Sequence, residues 1–347
     1  MRALALTRLG GPRALEVLDV PEPAEPGEGQ VRIRIRAAAL NHLDLFLTEG
    51  VKGITLHFPH VVGTDGAGEI DAVGRGVTGF KVGDRVAINP GISCGQCDVC
   101  MAGEEPYCRE FQILGEHRPG TCAELLNVPE RNVARIPEDM PWPPAAAFPL
   151  ANLTAWRMLV TRARISGGET VLIWGAGGGI SLAALQLAVE LGARAIVTGS
   201  TEAKLENALV LGAELVFNHR EETPDAIVRR IRQTLGGGVN VVVDTVGEKT
   251  WDASLKALAP GGRLVTCGAT TGPLVSLDIR RLFWFQWSVL GSTMGTRAEF
   301  QRVVDMVHRK KLWPVVDSVV PLDQGRLAYE RMARGEQIGK LVIEVSP

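Results

Sequence analysis

The sequence has no marked excess of charge of either sign. Its 347 residues carry 37 Lys and Arg against 39 Asp and Glu, a formal net charge of −2, without any run of like charge. Proteins that bind nucleic acid or lie on membranes usually depend on a basic patch or face. The composition therefore argues against both kinds of partner, and we expect the protein to bind a small molecule.

Two kinds of apolar segment are also missing. The N-terminus, MRALALTRLGG, has no apolar core of about 7 to 15 residues before a small-residue cleavage site, so it does not resemble a secretory signal. The most apolar stretch, residues 141–160, contains four prolines together with Asn152, Thr154 and Arg157. A membrane helix of roughly 20 residues would not normally tolerate them. We therefore predict a cytoplasmic protein.

The patterning divides the chain into two parts. Segments of period two, such as VRIRIRA and DRVAI, occur before residue 151 and indicate a β-rich domain. Between residues 170 and 293, six short β-branched segments alternate with helical stretches of 10 to 14 residues, which is typical of a doubly wound parallel sheet. No further βαβ unit follows. We predict one domain of residues 1–151 and 294–347, and an α/β domain of residues 152–293.

A glycine-rich turn, GAGGGIS at 175–181, follows the first strand of the predicted sheet. In such a turn, backbone N–H groups approach a pyrophosphate at the positive end of a helix. Ser181 takes the position of the third fingerprint glycine, where we expect it to loosen the contact between helix and strand slightly. The sequence predicts a dinucleotide site that includes Ala176, Gly178, Gly179 and Ile180.

The end of the second strand lacks the acidic residue that selects NAD by accepting hydrogen bonds from the ribose. Gly199 stands there, and Ser200, Lys204, His219 and Arg220 follow it. Because no carboxylate is present here to repel a 2′-phosphate, this pattern favours NADP(H) over NAD(H). The alternative is that Lys204 is an ordinary solvated helix residue.

Four of the six cysteines have the spacing C-x2-C-x2-C-x7-C: Cys94, Cys97, Cys100 and Cys108. In a reducing cytoplasm such a cluster is more typical of a metal site than of disulfides. Four thiolates complete the tetrahedral shell of zinc and leave no position for water or substrate. The spacing predicts a structural zinc site, and merely buried thiols are the alternative.

Together with GTDGAGEIDAVG, FKVGDRV and the α/β pattern, this cysteine lobe resembles the medium-chain dehydrogenase/reductase superfamily, which includes zinc alcohol dehydrogenases and quinone oxidoreductases. The resemblance covers essentially the whole chain. It implies a GroES-like β-rich catalytic domain with a structural zinc lobe at about 90–110, a Rossmann domain with a six-stranded parallel sheet, and a cleft between them. It also implies that Thr154 contacts the nicotinamide, with Cys267 and Gly268 at the cofactor edge of the sheet.

The resemblance also exposes a missing catalytic metal site. Zinc alcohol dehydrogenases hold a second zinc with two cysteines and a histidine, and the corresponding positions here are Asn41, Thr64 and about Leu150. Asparagine and threonine are poor zinc ligands and leucine is none. We therefore expect no standard catalytic zinc. The alternative left open is an unconventional metal site formed by His42, Asp44, His60 and Asp65.

The leading prediction is an NAD(P)H-dependent reductase of quinones, enones or other activated carbonyls. Conjugation spreads the developing negative charge in such substrates, so hydrogen-bond donors can replace a metal. The predicted catalytic groups are the Asn41 amide and the Thr64 hydroxyl as donors, with His42 as a proton source. Two alternatives stay open: an alcohol dehydrogenase, and a non-enzymatic NADPH-binding protein.

Association of copies is also predicted. The last strand of the sheet, WSVLGST, would expose an apolar edge unless another chain paired with it. The aromatic run LFWFQW just before it would add to such an interface and predicts a homodimer or homotetramer. The alternative is that these aromatic side chains pack within their own domain.

Overall fold

The computed structural model describes residues 1–346. The chain divides into two compact units. The first contains residues 1–153 together with the C-terminal part from Met294 onwards, and the second contains residues 154–293. Within the described residues, no helix combines the length and the apolar character that crossing a membrane requires.

The first unit is built mainly of antiparallel strands. Its strands are β1 (Arg2–Leu6), β2 (Leu15–Asp19), β3 (Gln30–Ala39), β4 (His60–Val61), β5 (Asp65–Val73), β6 (Arg85–Ile88), β7 (Gly91–Ile92), β8 (Gln112–Ile113), β9 (Leu125–Pro129), β10 (Val133–Arg135), β17 (Val316–Pro321) and β18 (Lys340–Glu344). The seven-stranded sheet has the order β10-β6-β5-β3-β18-β17, with β9 also paired to β3, and a three-stranded sheet has the order β2-β1-β4.

Strand β3 follows the predicted alternation. Val31, Ile33 and Ile35 are buried in the core of the first unit, whereas the arginines between them pair with carboxylates of β5. Arg32 and Arg34 donate to Asp71 at 2.7 Å each. Period-two alternation produces this division because successive side chains of a strand point to opposite faces.

The second unit contains the predicted parallel sheet. Its six strands are β11 (Thr170–Ile173), β12 (Arg194–Gly199), β13 (Leu215–Asn218), β14 (Val239–Asp244), β15 (Leu258–Thr266) and β16 (Ser288–Gly291). They have the order β13-β12-β11-β14-β15-β16, and every neighbouring pair is parallel. This order is that of a doubly wound fold, in which the first strand lies beside the fourth.

The helices connect these strands, and three helices of the second unit are shorter than the sequence predicts. The helices are α1 (His42–Glu49), α2 (Asp98–Met101), α3 (Trp142–Ala147), α4 (Pro149–Trp156), α5 (Gly179–Glu190), α6 (Glu202–Val210), α7 (Pro224–Leu235), α8 (Trp251–Ala257), α9 (Ile279–Trp284), α10 (Arg297–His308) and α11 (Gly325–Ala333); a π-helix spans Arg157–Arg162. α6, α8 and α9 have 9, 7 and 6 residues. Gly268, Gly272 and Pro273 disfavour helix before α9, and β15 begins directly after α8.

Candidate functional site

The four predicted zinc ligands form one compact cluster. The Sγ atoms of Cys94, Cys97, Cys100 and Cys108 all lie within 4.8 Å of one another, and the Cys94–Cys100 and Cys97–Cys108 pairs are 3.9 Å apart. A tetrahedral zinc with Zn–S bonds of about 2.3 Å requires sulfur–sulfur distances of about 3.8 Å. The geometry therefore fits zinc held by four thiolates, with no open position for a substrate.

Local structure favours the thiolate form of Cys94 but not of Cys97, whose pKa is raised to about 12 by its side-chain contacts with the neighbouring cysteines and by desolvation, against a backbone hydrogen bond from Cys100. The backbone N–H groups of Gln96 and Cys97 lower the pKa of Cys94 to about 6, because they stabilise its negative charge. Pairing of β7 with β8 closes the base of the lobe. The buried Glu105 also accepts a hydrogen bond of 2.7 Å from Arg297 at the start of α10, which ties the lobe to the rest of the first unit.

The glycine-rich turn lies between β11 and α5. Gly175 has a φ of +85°, which favours glycine, and Gly178 is the N-cap of α5. The structure places Gly179 and Ile180 in the first turn of this helix, where backbone N–H groups have no partner within the helix. Ala176 N–H donates to the Thr198 carbonyl at 2.6 Å, which fixes the turn to β12. This arrangement fits a pyrophosphate at the helix N-terminus.

Ser181, at the third fingerprint position, is buried on α5. Its hydroxyl donates a hydrogen bond of 3.0 Å to the Trp174 carbonyl, so its polar atom has a partner inside the fold. Thr154 differs, because its buried Oγ1 has no hydrogen-bond partner within the described residues. A buried hydroxyl without a partner costs free energy unless a ligand satisfies it, and this fits contact with the nicotinamide amide.

The predicted residues for the 2′-phosphate gather at the end of β12. Lys204 Nζ donates to Ser200 Oγ at 3.2 Å, and His219 N–H donates to the Gly199 carbonyl at 3.0 Å. Desolvation lowers the pKa of His219, and the charges of Lys204 and Arg220 lower it further. Three nitrogen-bearing side chains therefore lie within electrostatic reach of one another, beside a strand end without a carboxylate.

The last two predicted cofactor residues follow β15. Gly268 accepts a hydrogen bond of 3.1 Å from the Thr266 hydroxyl through its carbonyl. Burial raises the pKa of Cys267 to about 12, and the negative charge of Asp244 acts in the same direction. Cys267 is therefore a neutral thiol at neutral pH, and nothing in its environment activates it as a nucleophile.

In the first unit, a buried polar cluster joins the three positions that lack the standard zinc ligands. Asp65 is its centre: its carboxylate accepts from Asn41 Nδ2 at 2.9 Å and from Leu150 N–H at 2.8 Å. Asp44 accepts from the Thr64 hydroxyl at 2.6 Å and from the Asn41 N–H at 2.8 Å. Asp44, Thr64 and Asp65 have no exposed surface, and Asn41 is 7% exposed.

Lys340 completes this cluster, although no pattern in the sequence points to it. Its Nζ donates to Asn41 Oδ1 at 2.5 Å and to Asp65 Oδ2 at 2.9 Å. The antiparallel register of β18 with β3, in which Val342 faces Ala39, brings Lys340 opposite Asn41. A single lysine at the start of the apolar segment GKLVIEV is a weak signal, and its partners lie about 300 residues away in the chain.

Burial controls the ionisation of both carboxyl groups. It raises the pKa of Asp44 to about 7, although Thr64, Asn41 and the charge of Lys340 oppose the shift. It also raises the pKa of Asp65, against the opposing effects of Lys340 and Asn41. The cluster therefore holds a buried ion pair of Lys340 with Asp65 and, in Asp44, a carboxyl group whose ionisation is disfavoured by burial.

The structure does not bring the two candidate histidines into this cluster. His42 is exposed at the start of α1, with its ring edge-on to Phe46 at 5.5 Å, and partial desolvation lowers its pKa. His60 is buried, and its Nε2 lies 2.9 Å from the Gly115 carbonyl oxygen. Among residues 1–346, the one group of three or more His, Cys, Asp or Glu side chains close enough to share a metal is the cysteine cluster.

Comparisons with known proteins agree with both units. Residues 27–138 match the alcohol dehydrogenase GroES-like domain, and residues 179–309 match the zinc-binding dehydrogenase family. The chain is 32% identical to an acryloyl-coenzyme A reductase of Metallosphaera sedula, over 96% of this chain and 97% of that protein. It is 31% identical to an NAD-dependent alcohol dehydrogenase of Sulfolobus acidocaldarius, over the full length of both.

A solved structure of an NAD-dependent alcohol dehydrogenase superposes on the whole chain with a TM-score of 0.95 and 44% identity, with full coverage of both chains. The predicted resemblance and fold class are thus confirmed, and homologues of this kind are nicotinamide-dependent oxidoreductases acting on small molecules. The chain belongs to the zinc-type medium-chain dehydrogenase/reductase superfamily and is an NAD(P)-dependent oxidoreductase.

Proposed function

We propose that the protein reduces a quinone, an enone or another activated carbonyl with NAD(P)H, and that it does so without a standard catalytic zinc. The observation that carries this proposal is the cluster around Asp65. At the positions of the three missing ligands, the structure has amide, hydroxyl and backbone groups hydrogen-bonded to two carboxyl groups and a lysine. The similarity to an acryloyl-coenzyme A reductase supports it, because an acryloyl group is an α,β-unsaturated acyl group.

When bound, the nicotinamide supplies the hydride, and the protein must orient the substrate and stabilise the oxygen that gains negative charge. Asn41 is the proposed donor. One hydrogen of its Nδ2 goes to Asp65, and the other has only a long contact of 3.5 Å with the Ala39 carbonyl oxygen. That second hydrogen is therefore the one available to a substrate oxygen.

Thr64 and His42 have secondary proposed roles. The Thr64 hydroxyl already donates a hydrogen bond to Asp44. It can therefore donate to a substrate oxygen only after the hydrogen bond to Asp44 breaks. His42 is exposed, and its lowered pKa favours the neutral imidazole. We propose that His42 donates a proton to the product mainly in mildly acidic solution, where its protonated fraction is larger.

For the cofactors, we propose one structural zinc on the four cysteines and a preference for NADP(H) over NAD(H). The preference rests on the absence of a carboxylate at Gly199, on the cationic groups Lys204 and Arg220, and on the imidazole of His219 beside them. The two compact units correspond, in this proposal, to the predicted catalytic and dinucleotide-binding domains. NAD(H) is the alternative cofactor, because other relatives are named NAD-dependent alcohol dehydrogenases.

We also propose a homodimer or homotetramer formed through the edge strand β16. Val289 is 36% exposed on this strand, and Phe283 and Trp284 just before it are 64% and 76% exposed. The other part of the aromatic run packs inside the unit, where Phe285 stacks on Trp287 at 5.1 Å. An apolar edge strand with exposed aromatic neighbours fits pairing with a second copy of the chain.

A second candidate function is alcohol dehydrogenase activity with an unconventional metal, and the names of several relatives favour it. The deciding experiment combines elemental analysis for zinc with NADPH and NADH oxidation by a panel of quinones and enones, before and after chelation. The proposal expects one zinc per chain and activity that survives removal of loosely held metal. Two zinc ions per chain and alcohol oxidation lost on chelation would establish the second candidate instead.

The catalytic role of Asn41 is tested within the same assay. Removing one oxyanion donor typically lowers kcat by about 10²- to 10³-fold, so Asn41→Ala should lose that much with the best electrophile. Asn127→Ala is the matched control, because Asn127 also donates from its Nδ2 to a backbone carbonyl of the same unit but lies outside the cluster. Equal activity of both variants would remove Asn41 from the mechanism.

A further inference from the structure

Asp244 is a buried carboxyl group of the second unit that the proposed reaction does not use. It is the last residue of β14 and has no exposed surface. Its Oδ1 accepts from the backbone N–H groups of Val246 and Gly247 at 2.9 Å each, and its Oδ2 accepts from the Thr250 and Ser254 hydroxyls at 2.8 and 2.6 Å. Because burying a carboxyl group is costly unless hydrogen bonds compensate it, four donors around one side chain indicate an organised site.

Hydrogen bonds connect Asp244 to the glycine-rich turn. The Ser254 hydroxyl, on α8, accepts from Trp174 Nε1 at 2.7 Å. Trp174 directly precedes Gly175, the first residue of the turn, and its carbonyl oxygen accepts from the Ser181 hydroxyl on α5 at 3.0 Å. We call Asp244, Ser254, Trp174 and Ser181 the Asp244 network; all four residues are buried.

The chemistry of the groups fixes the direction of each hydrogen bond in this network. An indole N–H only donates, so Ser254 accepts from Trp174. The single hydroxyl hydrogen of Ser254 is then left for Asp244, which as a carboxylate only accepts. The network therefore has one consistent arrangement, and the loss of one member leaves its neighbour buried without a partner.

The Asp244 network joins the two sides of the crevice in which a sheet of this kind binds a dinucleotide. In doubly wound sheets, the ligand binds outside the carboxyl ends of the strands, where the strand order reverses. Here the order reverses between β11 and β14. The glycine-rich turn follows β11, and the segment of residues 245–250 follows β14. The network therefore links both segments that border the predicted crevice.

The turn itself is held from two sides. On the side of β12, Gly175 N–H donates to the Thr198 hydroxyl at 3.1 Å, and Ala176 N–H donates to the Thr198 carbonyl oxygen at 2.6 Å. On the side of β14, the Asp244 network is the anchor. The N–H groups in the first turn of α5 have no partner within the helix, so their directions depend on how firmly the glycine-rich turn is held.

We propose that the Asp244 network positions the glycine-rich turn for the pyrophosphate of the cofactor and couples the turn to the segment after β14. Asp244, Ser254 and Trp174 are accordingly positioning residues for NAD(P)H. Ser181, at the third fingerprint position, anchors α5 through the same network. The inference goes beyond the proposed reduction and does not rest on it, because it concerns the binding of the cofactor and not the substrate.

The test compares two variants of the network with a matched control. Ser254→Ala removes the acceptor of the indole N–H, and Trp174→Phe removes the N–H but keeps a large aromatic ring. Trp251→Phe is the control, because Trp251 also donates from its Nε1, to the Ser276 carbonyl oxygen at 2.9 Å, but lies outside the network. Dissociation constants of NADPH and NADH are measured by nicotinamide fluorescence without any electrophile. Hydrogen–deuterium exchange of the glycine-rich turn is measured in the cofactor-free protein.

Ser254→Ala and Trp174→Phe should each raise both dissociation constants by about three- to tenfold, which corresponds to the loss of one intramolecular hydrogen bond. NADPH and NADH should be affected equally, because the turn faces the pyrophosphate that they share. The double variant Ser254→Ala/Trp174→Phe should lose no more affinity than the weaker-binding single variant, since the two side chains share one hydrogen bond. Exchange in the turn should be faster in all three variants of the network, whereas Trp251→Phe should behave as the wild type.

A lower thermal unfolding midpoint with unchanged dissociation constants would overturn the inference, because the network would then only stabilise the fold. An effect on NADPH alone, or additive effects in the double variant, would overturn it as well. If Trp174→Phe does not fold, Ser254→Ala decides, since it removes a single oxygen atom. A wild type that binds NADPH but reduces no quinone or enone would refute the proposed function, and weaker NADPH binding by Ser254→Ala would still support the positioning role.

Discussion

Asp44 should make the protein less stable at neutral pH than in mild acid. Its carboxyl group is fully buried and its folded-state pKa is about 7, against an ordinary value of 3.8. A carboxyl group with a raised folded-state pKa prefers the proton in the folded state. Its contribution to stability is therefore complete below about pH 3.8 and is lost as the pH rises through about 7.

The magnitude follows from the difference between the ordinary and the folded-state pKa. A pKa difference of one corresponds to about 1.4 kcal/mol, so the full cost of ionising Asp44 in the folded protein is about 4 kcal/mol. About half of it, roughly 2 kcal/mol, falls between pH 5.5 and pH 8.5. Asp44→Asn removes this cost. The asparagine can still accept from the Asn41 N–H and donate to the Thr64 hydroxyl, which can accept as well as donate.

The assay is urea unfolding of the wild type and Asp44→Asn at pH 5.5, 7 and 8.5, with the difference in free energy of unfolding taken at each pH. Between pH 5.5 and pH 8.5, the free energy of unfolding of Asp44→Asn should rise by about 2 kcal/mol relative to that of the wild type. Asp19→Asn, at an exposed position of β2, is the control and should show no such trend. A pH-independent difference for Asp44→Asn would refute the reasoning, because it would mean that Asp44 is ionised throughout.

Two further predictions concern the second unit. Lys204→Gln should raise KM for NADPH by about ten- to a hundredfold and leave KM for NADH nearly unchanged, since charge-assisted hydrogen bonds contribute most to phosphate binding. Lys249→Gln is the control. Equal effects of Lys204→Gln on the KM values of both cofactors would contradict the assignment of Lys204 to the 2′-phosphate. Val289→Lys should convert the oligomer to a smaller species in size-exclusion chromatography with light scattering, whereas Val210→Lys, at a position 86% exposed on α6, should not. An unchanged mass for Val289→Lys would remove β16 as the interface.

The strands of the second unit could be predicted because each is short, β-branched and flanked by turn residues. Buried parallel strands need apolar side chains on both faces, so segments such as TVLI at Thr170–Ile173 and VNVVVD at Val239–Asp244 stand out locally. Helix lengths were predicted less well. Pro260 and Gly261 belong to β15 rather than to a loop, although the register of β15 with β14 is interrupted between Leu258 and Arg263 and local propensity disfavours a strand there.

The cysteine lobe was predictable for a similar reason. All four cysteines lie within one short segment, and their spacing along the chain is typical of a four-cysteine zinc site. The cluster around Asp65 is the opposite case. Its members come from the start of α1, the start of β5, the start of α4 and the start of β18. No local pattern relates Asn41 to Lys340, because their proximity arises only when β18 pairs with β3.

This difference explains why the sequence could predict that the standard zinc ligands are missing but not which side chains gather at those positions. Substitutions at Asn41 and Thr64 can be recognised one position at a time, because each removes a ligand. The cluster itself depends on the whole fold: the buried Asp65 needs a compensating charge, and the fold places one lysine within 2.9 Å of it. A buried aspartate at such a position therefore directs attention to the strands that pair beside it, where a lysine or arginine should be sought.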